Sequence, residues 1–187
     1  AIQLNIRIIS DIELIKTLNI SNKIIGITGT NGKTTTTKFI SDTLNFSNFL
    51  DIKVCGNIGI PFTELDIQKN TVLAIECSSF QLSKVSKLRF HIAVLLNISS
   101  DHLDWHLNMD NYIEAKTNIF KNQMPNDYAV VCLDDEYSKK ICGSFKSNFK
   151  GELIKISTRK VIKDGIYIIN KKSKLVIFNS LEKQELC

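Results

Sequence analysis

Gly26-Ile27-Thr28-Gly29-Thr30-Asn31-Gly32-Lys33-Thr34-Thr35 combines glycines, a lysine and hydroxyls in the order that a polyphosphate site requires. Glycines let the backbone turn tightly, so that successive N–H groups face one anion, and a following helix adds its positive end. Lys33 has the reach to meet β- and γ-phosphates, and the Thr34 hydroxyl is placed to ligate Mg²⁺. The common pattern G-x-x-x-x-G-K-[ST] would put glycine at position 27, where Ile27 stands. The competing reading, a glycine turn with a chance lysine, is weakened because strand, loop and helix fall in sequence around it.

Three further positions could complete such a site. Glu76 closes the apolar run Val72-Leu73-Ala74-Ile75, and the carboxyl ends of parallel strands are where open α/β sheets bind ligands. A carboxylate there can hold Mg²⁺; the alternative is a contact to the Ser78-Ser79 turn as a helix cap. His102 and His106 lie four apart in Asp101-His102-Leu103-Asp104-Trp105-His106, but Leu103 stands where a zinc protease needs its glutamate, and the segment follows a strand. His102 by itself suits a hydrogen-bonded loop as well as a ligand. Lys116 shares the apolar stripe of Met109, Tyr112, Ile113 and Phe120. Its stem could be buried with the ammonium in water, or desolvation could lower its pKa and free an amine for chemistry.

The elements that must position these residues alternate. Asp11 could cap a short helix, with a break at Ser21-Asn22. Apolar strands are expected at Lys23 to Thr28, around Val54, at Thr71 to Ile75, His91 to Leu96 and Tyr128 to Leu133. Helices are expected after Lys33, with Thr36, Phe39, Ile40, Thr43 and Leu44 on one face, at Ser79 to Ser83, and from Asn108 to Lys121. This alternation predicts an α/β fold, a doubly wound, mostly parallel sheet. Beyond residue 150 the short strands at Glu152 to Ser157, Ile166 to Ile169 and Leu175 to Phe178, with an Asn-Lys-Lys-Ser turn between the last two, predict an antiparallel tail.

Composition narrows the function classes. The 187 residues are 43% hydrophobic and 23% charged, enough for a substantial core and unlike a disordered or disulfide-stapled chain. No apolar run approaches the roughly 18 residues of a membrane span, and the start lacks the regions of a signal peptide. The five cysteines form no CxxC pair, which fits a reducing cytoplasm. The net charge of +5 is spread along the chain and rests on lysine with only three arginines, so it reads as solvated surface and not as a nucleic-acid interface.

The phosphate loop, Gly56-Asn57-Ile58-Gly59, Glu76-Cys77-Ser78-Ser79-Phe80-Gln81-Leu82, the turn Asn97 to Asp104, and Ala115-Lys116 together resemble the Mur ligase family of peptidoglycan synthesis. The likeness is strong from about residue 11 to 133 and reaches the tail only in its strand-rich character. The Phe80-Gln81 run is similar to the branch that adds D-glutamate. The branch adding the third peptide residue shows Glu-x-Ser-Ser-His instead, and folylpolyglutamate synthases usually show Gly-Lys-Gly-Ser in place of Gly32-Lys33-Thr34-Thr35. The resemblance implies a P-loop NTPase-like central domain at 22–187, incomplete at its carboxyl end, preceded at 1–21 by the trailing edge of an N-terminal domain. A C-terminal amino-acid-binding domain would lie outside the chain.

The family further implies an ATP- and Mg²⁺-dependent ligase, here a monomer with UDP-N-acetylmuramoyl-L-alanine and D-glutamate as substrates. Gly29, Thr30, Asn31, Gly32, Lys33, Thr34 and Thr35 would bind ATP. Thr34 and Glu76 would hold one Mg²⁺, and His102 with Lys116 as a carbamate a second. Asn57, Ser78 and Gln81 would contact the UDP-muramoyl substrate. Lys33, Glu76, His102 and Lys116 would be the catalytic set. Another ligase of the superfamily and a non-catalytic nucleotide-binding module are the competing readings, and the fragment by itself is expected to be inactive.

Overall fold

The computed structural model describes residues 6, 8–18, 20, 22–46, 50–145, 149–171 and 174–186. Its centre is a nine-stranded sheet in the order β2-β3-β1-β4-β5-β6-β7-β8-β9. The strands are β1 (Ile24–Thr28), β2 (Ile52–Gly56), β3 (Val72–Glu76), β4 (Ile92–Leu95), β5 (Tyr128–Cys132), β6 (Glu152–Ser157), β7 (Gly165–Lys171), β8 (Lys174–Asn179) and β9 (Gln184–Glu185). All pairings from β2 across to β7 are parallel. The tail turns antiparallel at β7–β8 and β8–β9. The α/β reading therefore holds, and so does the antiparallel hairpin of the last two expected strands, but Glu152–Ser157 pairs parallel with both its neighbours and belongs to the parallel part of the sheet; the centre of the expected turn, residues 172–173, lies outside the described residues, as does Ser21.

The helices are α1 (Leu14–Thr17), α2 (Lys33–Phe46), α3 (Ser79–Leu82), α4 (Leu103–His106), α5 (Met109–Thr117) and α6 (Glu136–Ser144). Because neighbouring residues of a strand point to opposite faces, β3 sends Leu73 and Ile75 into one core and Val72 and Ala74 into another. The first core also takes Ile12, Ile15, Leu82, Phe90, Leu95, Tyr112 and Ile119, from the segments packed on that face. The second lies under α2. β1 and β3 are buried throughout, the pattern of parallel strands covered on both sides.

One expectation needs correcting. The inner face of α2 carries Thr37 and Ser41, while Phe39 is 70% exposed and Thr43 is also exposed. Small side chains let the helix sit close to the sheet, and Thr37 satisfies its hydroxyl by donating to the Lys33 carbonyl at 2.9 Å. Ile40 and Leu44 remain half-buried beside the second core, bordering an open apolar groove of about 390 Å³ with Ile25, Ile92, Val94 and Val130.

Helix α6 is a second departure, since nothing was expected between β5 and β6. Asp135 starts it, its carboxylate accepting from Ser138 N at 2.8 Å. Among the described residues no helix is long and apolar enough to cross a membrane.

Candidate functional site

The loop after β1 is pinned from the neighbouring strand end. Thr30 N donates to the Asn97 carbonyl at 2.9 Å, Asn31 N to Asn97 Oδ1 at 2.9 Å, and Asn97 Nδ2 returns a bond to the Asn31 carbonyl. Thr30 Oγ1 also meets Tyr112 Oη at 3.1 Å. Gly32 has φ +83, a left-handed conformation that glycine adopts without a Cβ penalty. The loop runs straight into α2, whose first residue is Lys33. The Lys33 ammonium donates back to the carbonyls of Gly29 at 3.1 Å and Thr30 at 2.9 Å, so it is folded over the loop it follows.

Glu76 ends β3 with 1% of its surface exposed. Thr34 Oγ1 donates to its Oε2 at 2.8 Å and Asn57 Nδ2 to its Oε1 at 3.0 Å. The backbone of β2 approaches closely here: Gly56 has φ +104, and a Cβ on it would stand 2.3 Å from the Glu76 carbonyl. Thr34, Asn57 and Glu76, drawn from three separate segments, thus form one hydrogen-bonded group. The cap reading of Glu76 fails, because α3 is capped by Ser78.

Lys116 is 2% exposed on α5. Its ammonium donates to the Gly29 carbonyl at 2.7 Å and stands 4.8 Å from the centre of the Tyr112 ring. Both ends of the side chain are therefore inside the protein, and the snorkelling alternative does not apply. Burial first, and then the nearby Lys33 charge, bring its pKa down from 10.5 to about 7.

His102 has φ 51 and donates its backbone N–H to Asp101 Oδ1 at 3.0 Å, while its Nε2 lies 3.5 Å from Asp101 Oδ2. Its ring packs 4.9 Å from that of Phe80. His106 belongs to a different setting. It is 4% exposed, hydrogen-bonded to Ser79 Oγ at 2.9 Å, and burial followed by the His102 and Lys116 charges lowers its pKa.

Ser78 and Gln81 hold each other in a capping box. Gln81 N donates to Ser78 Oγ at 3.2 Å, and Gln81 Oε1 accepts from Ser78 N and Oγ at 3.0 Å each. A cavity of about 270 Å³ is lined by Lys33, Asn57, Ser78, Phe80, His102 and Lys116, with Ser79, Asp101 and Tyr112. Glu76 and Thr34 adjoin it through Asn57, and Gln81 through Ser78. Every residue expected at the site on sequence grounds lies at this one edge of the sheet. Two of the larger surface cavities, of about 530 and 690 Å³, gather no comparable set of hydrogen-bonded acid, hydroxyl and buried amine.

Tyr112 and Asn97 were not expected among these residues. Tyr112 reads as core on its helical stripe, and it is 1% exposed, yet its hydroxyl holds Thr30. Nothing in the order of residues distinguishes such a tyrosine from a packing one.

Comparison with known proteins identifies the family. Residues 27–186 match the family described as Mur ligase middle domain. Over 168 residues the chain is 45% identical to "UDP-N-acetylmuramoylalanine--D-glutamate ligase" of Rickettsia prowazekii (strain Madrid E), covering 90% of this chain and 37% of that protein. The protein of the same name from Oceanobacillus iheyensis is 47% identical over 133 residues, 70% of this chain and 29% of its own length. The chain thus spans 37% and 29% of the lengths of these two curated relatives.

Among solved structures, a UDP-N-acetylmuramoyl-L-alanyl-D-glutamate--2,6-diaminopimelate ligase superposes with TM-score 0.68 at 23% identity, over 92% of this chain and 41% of that one. The MurF ligase of Thermotoga maritima in complex with ADP gives 0.61 at 23% identity, over 89% and 42%. These two show the fold. With the family match covering most of its length, the chain belongs to the Mur ligase family and carries that family's middle domain over residues 27–186.

Proposed function

We propose that this chain is the ATP-using central part, residues 22–187, of a longer ligase that joins D-glutamate to UDP-N-acetylmuramoyl-L-alanine, with residues 1–21 leading in from a preceding domain. The observation that carries the reading is the convergence of Lys33, the Thr34–Glu76 pair and buried Lys116 on one phosphate-type loop. The names of the relatives at 45% and 47% identity support the choice of D-glutamate.

The chemistry follows from the need for a leaving group. An oxygen of the alanyl carboxylate attacks the γ-phosphorus of ATP, the bond to the bridging oxygen breaks, and ADP departs, leaving an acyl phosphate. The amine of D-glutamate then attacks the carbonyl carbon. Phosphate leaves with its electron pair, and the amine gives up a proton as the amide forms. Both steps bring anions together, so positive charge and oriented N–H groups are what the protein must supply.

In this reading residues Gly29 to Thr35 cradle the phosphates, and Lys33 releases its carbonyl partners to follow the transferring group. Thr34 and Glu76 suit Mg²⁺, which takes one or two hard protein oxygens and keeps several waters. The bound ion would offset phosphate charge and orient the γ-phosphoryl group. Asn57, Ser78 and Gln81 would meet the acyl-sugar substrate.

A lysine with pKa about 7 is about half amine at neutral pH. Lys116 can therefore attack CO₂, forming an N–C bond and releasing one proton to give a carbamate. Its two oxygens would join His102 as donors for a second Mg²⁺.

Phosphate release by the full-length protein carrying this segment, assayed with UDP-N-acetylmuramoyl-L-alanine and D-glutamate, tests the proposal. Preference for L-lysine or diaminopimelate as the amine would overturn the substrate assignment. ATP binding unchanged by Lys33→Ala would overturn the site.

A further inference from the structure

Asp11 lies seventy residues before Gln81 in the chain, yet Gln81 Nε2 donates to its Oδ1 at 2.9 Å and to its Oδ2 at 3.2 Å. The other end of the same amide is already committed, with Gln81 Oε1 accepting from Ser78 N and Ser78 Oγ. The two sets of partners demand opposite ends of the amide: turned over, Oε1 would face a carboxylate and Nε2 a backbone N–H. Each arrangement would place like against like, so Asp11 and Ser78 together fix the plane and sense of the Gln81 side chain.

Asp11 can perform this task because its own backbone is held. It opens a single 3₁₀ turn, Asp11–Glu13, whose Ile12 is 1% exposed and whose successor helix buries Ile15 completely. Two residues on, the Glu13 carboxylate accepts from the backbone N–H groups of Ser86, Lys87 and Leu88 at 3.1, 2.8 and 3.1 Å. The turn is thereby fastened to the chain that leaves α3, the helix on which Gln81 sits. Asp11 and Gln81 are parts of one braced unit, and Asp11 itself stays at the surface.

Resting on the functional reading above, we propose that Asp11 is a positioning residue: it orients the Gln81 amide for the acyl-sugar substrate and so couples the segment entering the domain to substrate binding. It touches neither the phosphate loop nor Lys116 in the bonds described here.

The test is a kinetic double-mutant cycle in the full-length ligase, with Asp11→Ala, Asp11→Asn, Gln81→Ala and Asp11→Ala/Gln81→Ala. Asp11→Ala should raise KM for UDP-N-acetylmuramoyl-L-alanine about tenfold, the scale of one lost charge-assisted hydrogen bond, with kcat and KM for ATP within about twofold. Asp11→Asn keeps an acceptor oxygen and should stay within about threefold of wild type. In the Gln81→Ala background the Asp11 change should add nothing. Melting curves on the same proteins separate orientation from folding, since a structural brace would lower the midpoint in both backgrounds alike.

An active wild type with an unchanged KM in Asp11→Ala, additive effects of Asp11→Ala and Gln81→Ala, or an Asp11→Asn as impaired as Asp11→Ala would each overturn this proposal alone. A wild-type protein that performs no ligation overturns the functional reading and this proposal with it.

Discussion

The sheet has two unlike ends. Around β1, β3 and β4 the strands are buried, and polar side chains reach across the chain to fix loops: Lys116 on the Gly29 carbonyl, Thr28 on the Cys77 carbonyl, Asn97 on Asn31, Glu13 on three N–H groups. Around β7, β8 and β9 the strands form a hairpin and an edge, with Leu175 75% and Leu181 54% exposed. Parallel strands need connections that pass over a sheet face, and each such crossover delivers a loop to the carboxyl edge, where groups from distant positions meet. A hairpin returns at once and delivers only its own turn. The chemistry therefore gathers where crossovers end, and the antiparallel tail extends the sheet without adding to the site.

The contrast can be broken first at Lys33. Lys33→Ala should weaken binding of a fluorescent ATP analogue by about 10²-fold or more, as expected for losing a preorganised phosphate donor, while leaving the fold intact. A change of similar size from any substitution in β8 would refute the division.

Next in size is Glu13→Ala, which strands three N–H groups that share one carboxylate. Urea unfolding should show a loss of about 3 kcal/mol. Gly56→Ala follows, at about 1–3 kcal/mol, because a Cβ there meets the Glu76 carbonyl in a backbone conformation that alanine resists.

Lys116 sharpens the comparison through pH. Its folded pKa, about 7, lies below the unfolded value near 10.5, so between those values the unfolded chain binds the extra proton. Stability must then rise with pH in that window, by up to about 1.4 kcal/mol per pH unit, and the penalty is greatest below pH 7. Unfolding followed from pH 7.5 to 8.5 in CO₂-depleted buffer should show the rise, and Lys116→Met should flatten it. The window stops there because the buried Cys55 thiol, pushed up to about 12 chiefly by desolvation, acts in the opposite direction above pH 9. The smallest effect belongs to the tail: Leu175→Ser should change stability by less than about 0.5 kcal/mol in the same urea experiment.

Some residues announced themselves by type and spacing, and others did not. The loop from Gly29 to Lys33 is legible because its function depends on the local backbone. Glu76 is legible because a carboxylate ending an apolar strand has few structural uses. The buried face of α2 is less legible: Phe39 and Thr43 fit the apolar period, but Thr37 and Ser41 allow the closer approach to the sheet, and distance of approach is not written in periodicity. Helix α6 carried a signal in Asp135 and Ser138, three apart as a cap requires, which the surrounding polar residues concealed.

The order of residues determined the α/β alternation, the phosphate-type loop and the chemical kinds of group that would accompany it, because strands, turns and glycine conformations are set by near neighbours. Only the folded chain decided that Lys116 is buried on the Gly29 carbonyl, that Asn57 and Thr34 share Glu76, and that Asp11 grips Gln81. Those contacts join segments up to 87 residues apart. Desolvation, charge proximity and amide orientation depend on which surfaces are brought together, and no local pattern records that.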